Sequence, residues 1–221
     1  MKFAGTTSWR FAESDRDEMS HVALFIRDAL GLPVLPGPAV PPPLSGTIPD
    51  HRGLLSTEER KEAGQQWTDW WATVLGFQVQ MQEEPADPGM SAVRETLQAR
   101  REQAGSPPDF AALADRPALQ RAAVETFPHA HRWVNQLSLE QRDERKGSFP
   151  YRLVRQVAED VAFDRRVDFG AVRASAVVLE VKGSWWHLLA PGAVVCSDPA
   201  AADPTTGELI LRRAFESSLR R

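Results

Sequence analysis

The chain has 221 residues, 42% hydrophobic and 25% charged, with a formal net charge of −4. That is enough apolar sequence for a packed core, and it excludes a disordered or fibrous chain. The acidic balance argues against broad binding to a nucleic-acid backbone, which draws on a basic excess. One domain over residues 1–221 is the natural expectation at this length.

Cys196 is the only cysteine, so no intrachain disulfide forms and a reducing compartment is indicated. The opening residues carry no apolar leader stretch, and no run approaches the roughly 20 apolar residues that span a bilayer. The expectation is a soluble, cytoplasmic protein with no membrane partner.

In chain order, the extended stretch "KFAGTTSWRF" is a candidate strand. Ser14 then stands as an N-cap, followed by Asp15, Asp17 and Glu18, acids that complement a helix dipole. Val22, Phe25, Ile26 and Ala29 fall at i, i+3, i+4 and i+7, and Gly31 with Pro33 closes this first helix. Residues 32–53 carry prolines at 33, 36, 38, 41, 42, 43 and 49, which forbid regular helix and central strand. The interspersed Val34, Leu35, Val40, Leu44 and Ile48 mark an ordered loop packed on the body; the alternative is a docking ligand for another protein.

Ser56 and Glu59 have capping-box spacing at the start of a second helix. Trp67, Trp70 and Trp71 lie on its apolar stripe, either as core or as the wall of a small-ligand pocket. Ser91 to Gln103 reads as a short charged helix. Asp115 caps a longer one, with Pro117 in its first turn and Pro128 kinking or ending it before a continuation to Leu137. Ser148-Phe149-Pro150 opens the last long helix, striped by Leu153, Val154, Val157, Ala158 and Val161. The helical body thus spans about residues 12–163.

Past Asp168 the apolar period changes from 3.6 to 2. Ala171 to Val181, Ser184 to Ala190 and Ala193 to Ser197 are strand-like runs separated by Lys182-Gly183 and Pro191-Gly192. They predict an antiparallel β-meander over about 167–197, followed by a closing helix over about 206–219. The fold class is α+β: four to five helices packed on a small C-terminal sheet.

Within this region Glu180-Val181-Lys182 resembles the Glu-x-Lys of the restriction-endonuclease-like superfamily. The resemblance implies a Mg²⁺-dependent nuclease that uses Asp168, Glu180 and Lys182 at a divalent metal, the lysine helping to position or activate water. A strand puts i and i+2 on one face, which suits that pair. Lys182-Gly183 is also the best turn signal in the region, and a hairpin-tip lysine is solvated. The histidines have no zinc-like spacing, and Cys196 sits in an apolar strand, so outside this motif no metal or cofactor is expected.

With a two-residue turn at Lys182-Gly183, Glu180 pairs with Trp185 and Leu179 with Trp186. Trp186 then joins the apolar face and Trp185 faces outward as an interface candidate. The leading expectation is therefore a non-enzymatic protein acting through protein–protein contacts, as accessory subunit, scaffold or immunity-type binder. It would pair with another protein or with its own copy. The nuclease and the Trp-lined ligand pocket are the alternatives.

Overall fold

The computed structural model describes residues 9–14, 17–83, 95, 107, 109–140 and 148–219. Side chains at 78, 80–83 and 137–140 are outside the description. So are most of the residues expected as a helix from Ser91 to Gln103. The fold is α+β, with six α-helices and one four-stranded sheet among the described residues. These fall into two compact units, one within Arg16–Glu144 and one drawn from Met1–Asp15 and Arg145–Arg221. None of the described helices is long and apolar enough to cross a membrane.

The helical unit contains α1 (Glu18–Leu30), α2 (Thr57–Glu83) and α3 (Pro117–Glu140), with 3₁₀ turns at Arg52–Leu54 and Ala111–Leu113. Asp17, rather than Ser14, caps α1: its carboxylate accepts the Ser20 N–H at 2.8 Å. Ser14 ends a strand instead. Gly31 closes the helix in the left-handed region at φ 57°, and the Leu32 N–H reaches back to the Arg27 carbonyl at 3.0 Å. On α2 the capping box is present in full. Ser56 N–H donates to Glu59 at 2.8 Å, and Glu59 N–H donates to Ser56 Oγ at 3.2 Å. Arg121 of α3 donates to the same carboxylate at 2.6 Å. The guanidinium first, then the two Ser56 contacts, hold the Glu59 carboxyl down to about 2.

Helix α3 runs through Pro128 without ending. The carbonyl left without its helical N–H belongs to Val124, which is itself exposed. Trp67, Trp70 and Trp71 are at most 2% exposed. Trp67 and Trp71 stack at 5.4 Å with an 8° interplanar angle, and Trp70 meets Phe110 edge-on at 6.1 Å.

The Pro-rich segment is held by donors, as its chemistry requires. Prolines have no N–H, so Pro41 to Pro43 offers only carbonyls. Arg27 supplies the matching donors: Nη1 to Pro41 O at 2.7 Å and Nη2 to Pro42 O at 2.8 Å. Its Nε donates to Asp28 at 2.6 Å, and its guanidinium carbon lies over the Trp67 ring, 5.4 Å from the centroid. Asp28 in turn accepts the Leu44 N–H at 2.7 Å, and the Trp71 indole N–H donates to Ala39 O at 2.8 Å. Farther up, the segment crosses α2 so closely that a Cβ on Gly64 would stand 2.8 Å from the Pro33 carbonyl oxygen.

The second unit contains β1 (Arg10–Ser14), α4 (Tyr151–Arg165), a 3₁₀ turn at Phe169–Ala171, β2 (Arg173–Leu179), β3 (Trp186–Ala190), β4 (Ala193–Ser197), α5 (Asp198–Ala202) and α6 (Pro204–Ser218). The sheet order is β1-β2-β4-β3, with β1–β2 and β2–β4 parallel and β3–β4 antiparallel. The sheet is mixed and so departs from the expected antiparallel meander. Of the two expected turns only Pro191-Gly192 makes a hairpin, with Gly192 at φ 85°. α4 and α6 pack on the face carrying Ala174, Ala176, Val178, Val194 and Cys196. Asp203 caps α6 by accepting the Thr206 N–H at 2.8 Å, and the helix starts at Pro204, two residues before the expected start. The short α5, capped by Ser197, was not foreseen.

Two substitutions test this frame. Arg27→Met leaves two proline carbonyls without their donor and the Asp28 carboxylate without its cation; urea denaturation should show a loss of about 3 kcal/mol. Gly64→Ala ordinarily strengthens a helix, but here the methyl meets backbone, and the same measurement should show a loss of about 1–3 kcal/mol.

Candidate functional site

The residues expected around a metal do not come together. Asp168 caps the 3₁₀ turn ahead of β2, accepting the Gly170 N–H at 2.7 Å. Glu180 follows the far end of β2, and a seven-residue strand spans roughly 20 Å. One Mg²⁺ cannot bridge that separation with direct carboxylate ligands. Nor do Glu180 and Lys182 lie on a straight strand. Val181 N–H donates to the Leu179 carbonyl at 2.9 Å, a three-residue turn with Glu180 at its centre. Lys182 is exposed beyond it. The i, i+2 argument therefore does not apply at this position.

That same turn corrects the expected hairpin. Gly183 does adopt a left-handed φ of 74°, but it steers the chain away from β2. No Glu180–Trp185 pair forms. β3 instead lies beside β4 at the end of the sheet, with Trp186 opposite Cys196, His187 opposite Val195 and Leu188 opposite Val194.

The tryptophans of α2 leave no ring face for a ligand. Besides their burial, the Trp67 indole N–H is engaged by the Ala23 carbonyl at 2.7 Å. His51 and His129, far apart in sequence, bring their rings to 4.6 Å, a proximity that spacing could not show. Among the described residues no group of three or more His, Cys, Asp or Glu side chains is arranged to hold a metal ion. Cys196 is fully buried, and that burial, with the charges of Glu13 and Asp198, pushes its thiol far above the ordinary range.

Trp185 is half-buried and tightly positioned through its backbone. Its N–H donates to Ser197 Oγ at 3.0 Å, and its carbonyl accepts the Ser197 N–H at 2.9 Å. This pairing sets the polarity of β3. In an antiparallel ladder, alternate residues bond inward, so Trp185 and His187 face β4 with their backbone groups. Trp186 and Leu188 then present N–H and C=O to the outer edge. The Trp186 side chain packs partly against the α4/α6 core, and Leu188 on the same face remains 38% exposed. Among the described residues no strand pairs with the outer edge of β3, which carries apolar side chains on both faces. Other large apolar groups stand in solvent in the same unit, notably Phe163 at 84%.

Comparisons with protein-family models, curated proteins and solved structures return no match.

The burial of Cys196 gives a direct check. A thiol reagent such as DTNB should not label the native protein over hours in mildly alkaline buffer, and should label it fully once denaturant is added. Prompt native labelling would show the β4 core to be open.

Proposed function

We propose that the protein is a binding protein that acts through protein–protein contacts and takes an extended segment of its partner along β3. The observation that carries this is the outer edge of the sheet. The strand Trp186–Ala190 has no charged residue and no proline to keep its edge from pairing, and the register shift in its pairing with β4 falls between Leu188 and Ala190, beyond the Trp186–Leu188 stretch. Strand addition there gains main-chain hydrogen bonds from Trp186 and Leu188. Specificity would come from the side chains on either face, with Trp185 and His187 on one and Leu188 on the other. An aromatic anchor held by its backbone loses little freedom on binding, which suits Trp185 to this role. An accessory subunit, a scaffold and an immunity-type binder all use such a mode. A reducing cytoplasmic setting goes with it, because the single cysteine serves as a buried hydrophobe.

Random peptides displayed on phage, selected on the immobilised protein, test this reading. Recovered clones should favour alternating apolar residues and should bind Leu188→Lys at least about tenfold more weakly. Leu209→Lys, an exposed leucine of α6 rather than the edge, should bind them as wild type does. Clones that bind both variants equally would sink the edge-strand proposal.

A further inference from the structure

A second surface lies within the helical unit and does not involve β3. A groove of about 540 Å³ runs between the start of the Pro-rich segment and α2, lined by Gly31, Pro33, Leu35, Thr57, Arg60, Lys61 and Gln65. Thr57, Lys61 and Gln65 stand at i, i+4 and i+8, so one stripe of α2 forms one wall. The other wall is apolar. Leu35 is 83% exposed, the second most exposed large hydrophobic side chain among the described residues.

Leu35 is not on a loose loop. Pro33 and Pro36 bracket it, Pro33 is pressed onto Gly64, and the chain beyond is fastened by Trp71 at Ala39 and by Arg27 at Pro41 and Pro42. A leucine held out in solvent on a fixed backbone costs hydration free energy that a partner would recover, with little ordering loss.

The charge of the lining is one-sided. Arg60 and Lys61 face the groove, and neither forms an ion pair with a described residue; Arg60 makes only a 3.4 Å contact to Thr57 Oγ1. No acid lines it; Glu58 and Glu62, their neighbours on α2, lie outside the lining. A basic rim on a chain of net charge −4 is a local arrangement that complements carboxylates.

We infer that this groove docks an acidic segment of another protein, in which an apolar side chain covers Leu35 and Pro33 while flanking Asp or Glu residues meet Arg60 and Lys61. A protein segment fits better than a small amphipathic anion. Small ligands bury most of their surface in their site, and a wall that is itself 83% exposed encloses nothing until a partner covers it.

The probes are short fluorescein-labelled peptides with a central Leu-Leu flanked by glutamates, and the same peptides flanked by lysines. Fluorescence anisotropy should show saturable binding of the glutamate series only, weakening as salt rises. Arg60→Glu/Lys61→Glu and, separately, Leu35→Ser should each weaken it at least about tenfold. Leu188→Lys at the sheet edge should leave it unchanged, which separates this surface from β3. All three variants alter exposed positions, and circular dichroism verifies their fold. Equal binding of the lysine series, retention in the charge-reversed variant, or no binding of either series overturns the inference. So does saturable binding of decanoate without binding of the peptides.

Discussion

The helical unit depends on one guanidinium. Arg27 is 6% exposed, an unusual place for a charge, and each of its interactions answers a specific need. Three consecutive prolines can donate nothing to a protein interior. They can only accept, and their carbonyls would be costly to bury without donors. Arginine offers a rigid fork of N–H groups that a lysine could not reproduce. With Asp28 beside it, the fork is neutralised and the Leu44 amide is satisfied in the same cluster. The stacked Trp67 and Trp71 lie beneath this arrangement and pass their own indole donors to Ala23 and Ala39. The clamp is thus polar where the prolines require donors and aromatic where the core requires area.

From that clamp follows the shape of the groove wall. A segment with so many prolines has few conformations to lose, so a few fixed bonds suffice to order it. Its early part is laid across Gly64, and Leu35 is left standing in solvent as a consequence. The sheet unit reaches an exposed apolar surface by a different route. Insertion of β4 between β2 and β3 gives β2 two parallel neighbours and sends β3 to the margin. The two strands with buried patterns, Arg173–Leu179 and Ala193–Ser197, are central, and the two with part-exposed patterns, Arg10–Ser14 and Trp186–Ala190, are at the edges. Both candidate surfaces are therefore products of how the chain satisfies its backbone elsewhere.

Much of this was legible locally. Ser56 with Glu59, Gly31 at a helix end, and Pro191-Gly192 between strands each depend on residues within a few positions, and each appears as read. The three tryptophans of α2 were equally plain as an apolar stripe. What sequence could not carry was order across distance. Lys182-Gly183 is a turn, but whether a turn makes a hairpin depends on which strand claims the next edge, and the tight turn at Leu179–Val181 decided against it. The apparent Glu-x-Lys motif failed for the same reason, since its two-residue period presumes a straight strand. Arg27 was missed because a cation at the end of a helix is ordinarily solvated. The available signal was the proline triplet itself, which demands a donor-rich partner from somewhere in the chain.

The central claim is that Arg27 and Asp28 hold the Pro-rich segment in place as part of the folded unit. Native-state hydrogen exchange at the Leu44 amide and the Trp71 indole reads this directly, because both hydrogens sit in bonds that exist only while the segment is docked. The expected result is protection comparable to the buried amides of α1, lost at both sites in Arg27→Met at denaturant concentrations where α1 itself stays protected. Exchange of both hydrogens at unprotected rates in the wild-type protein would contradict it.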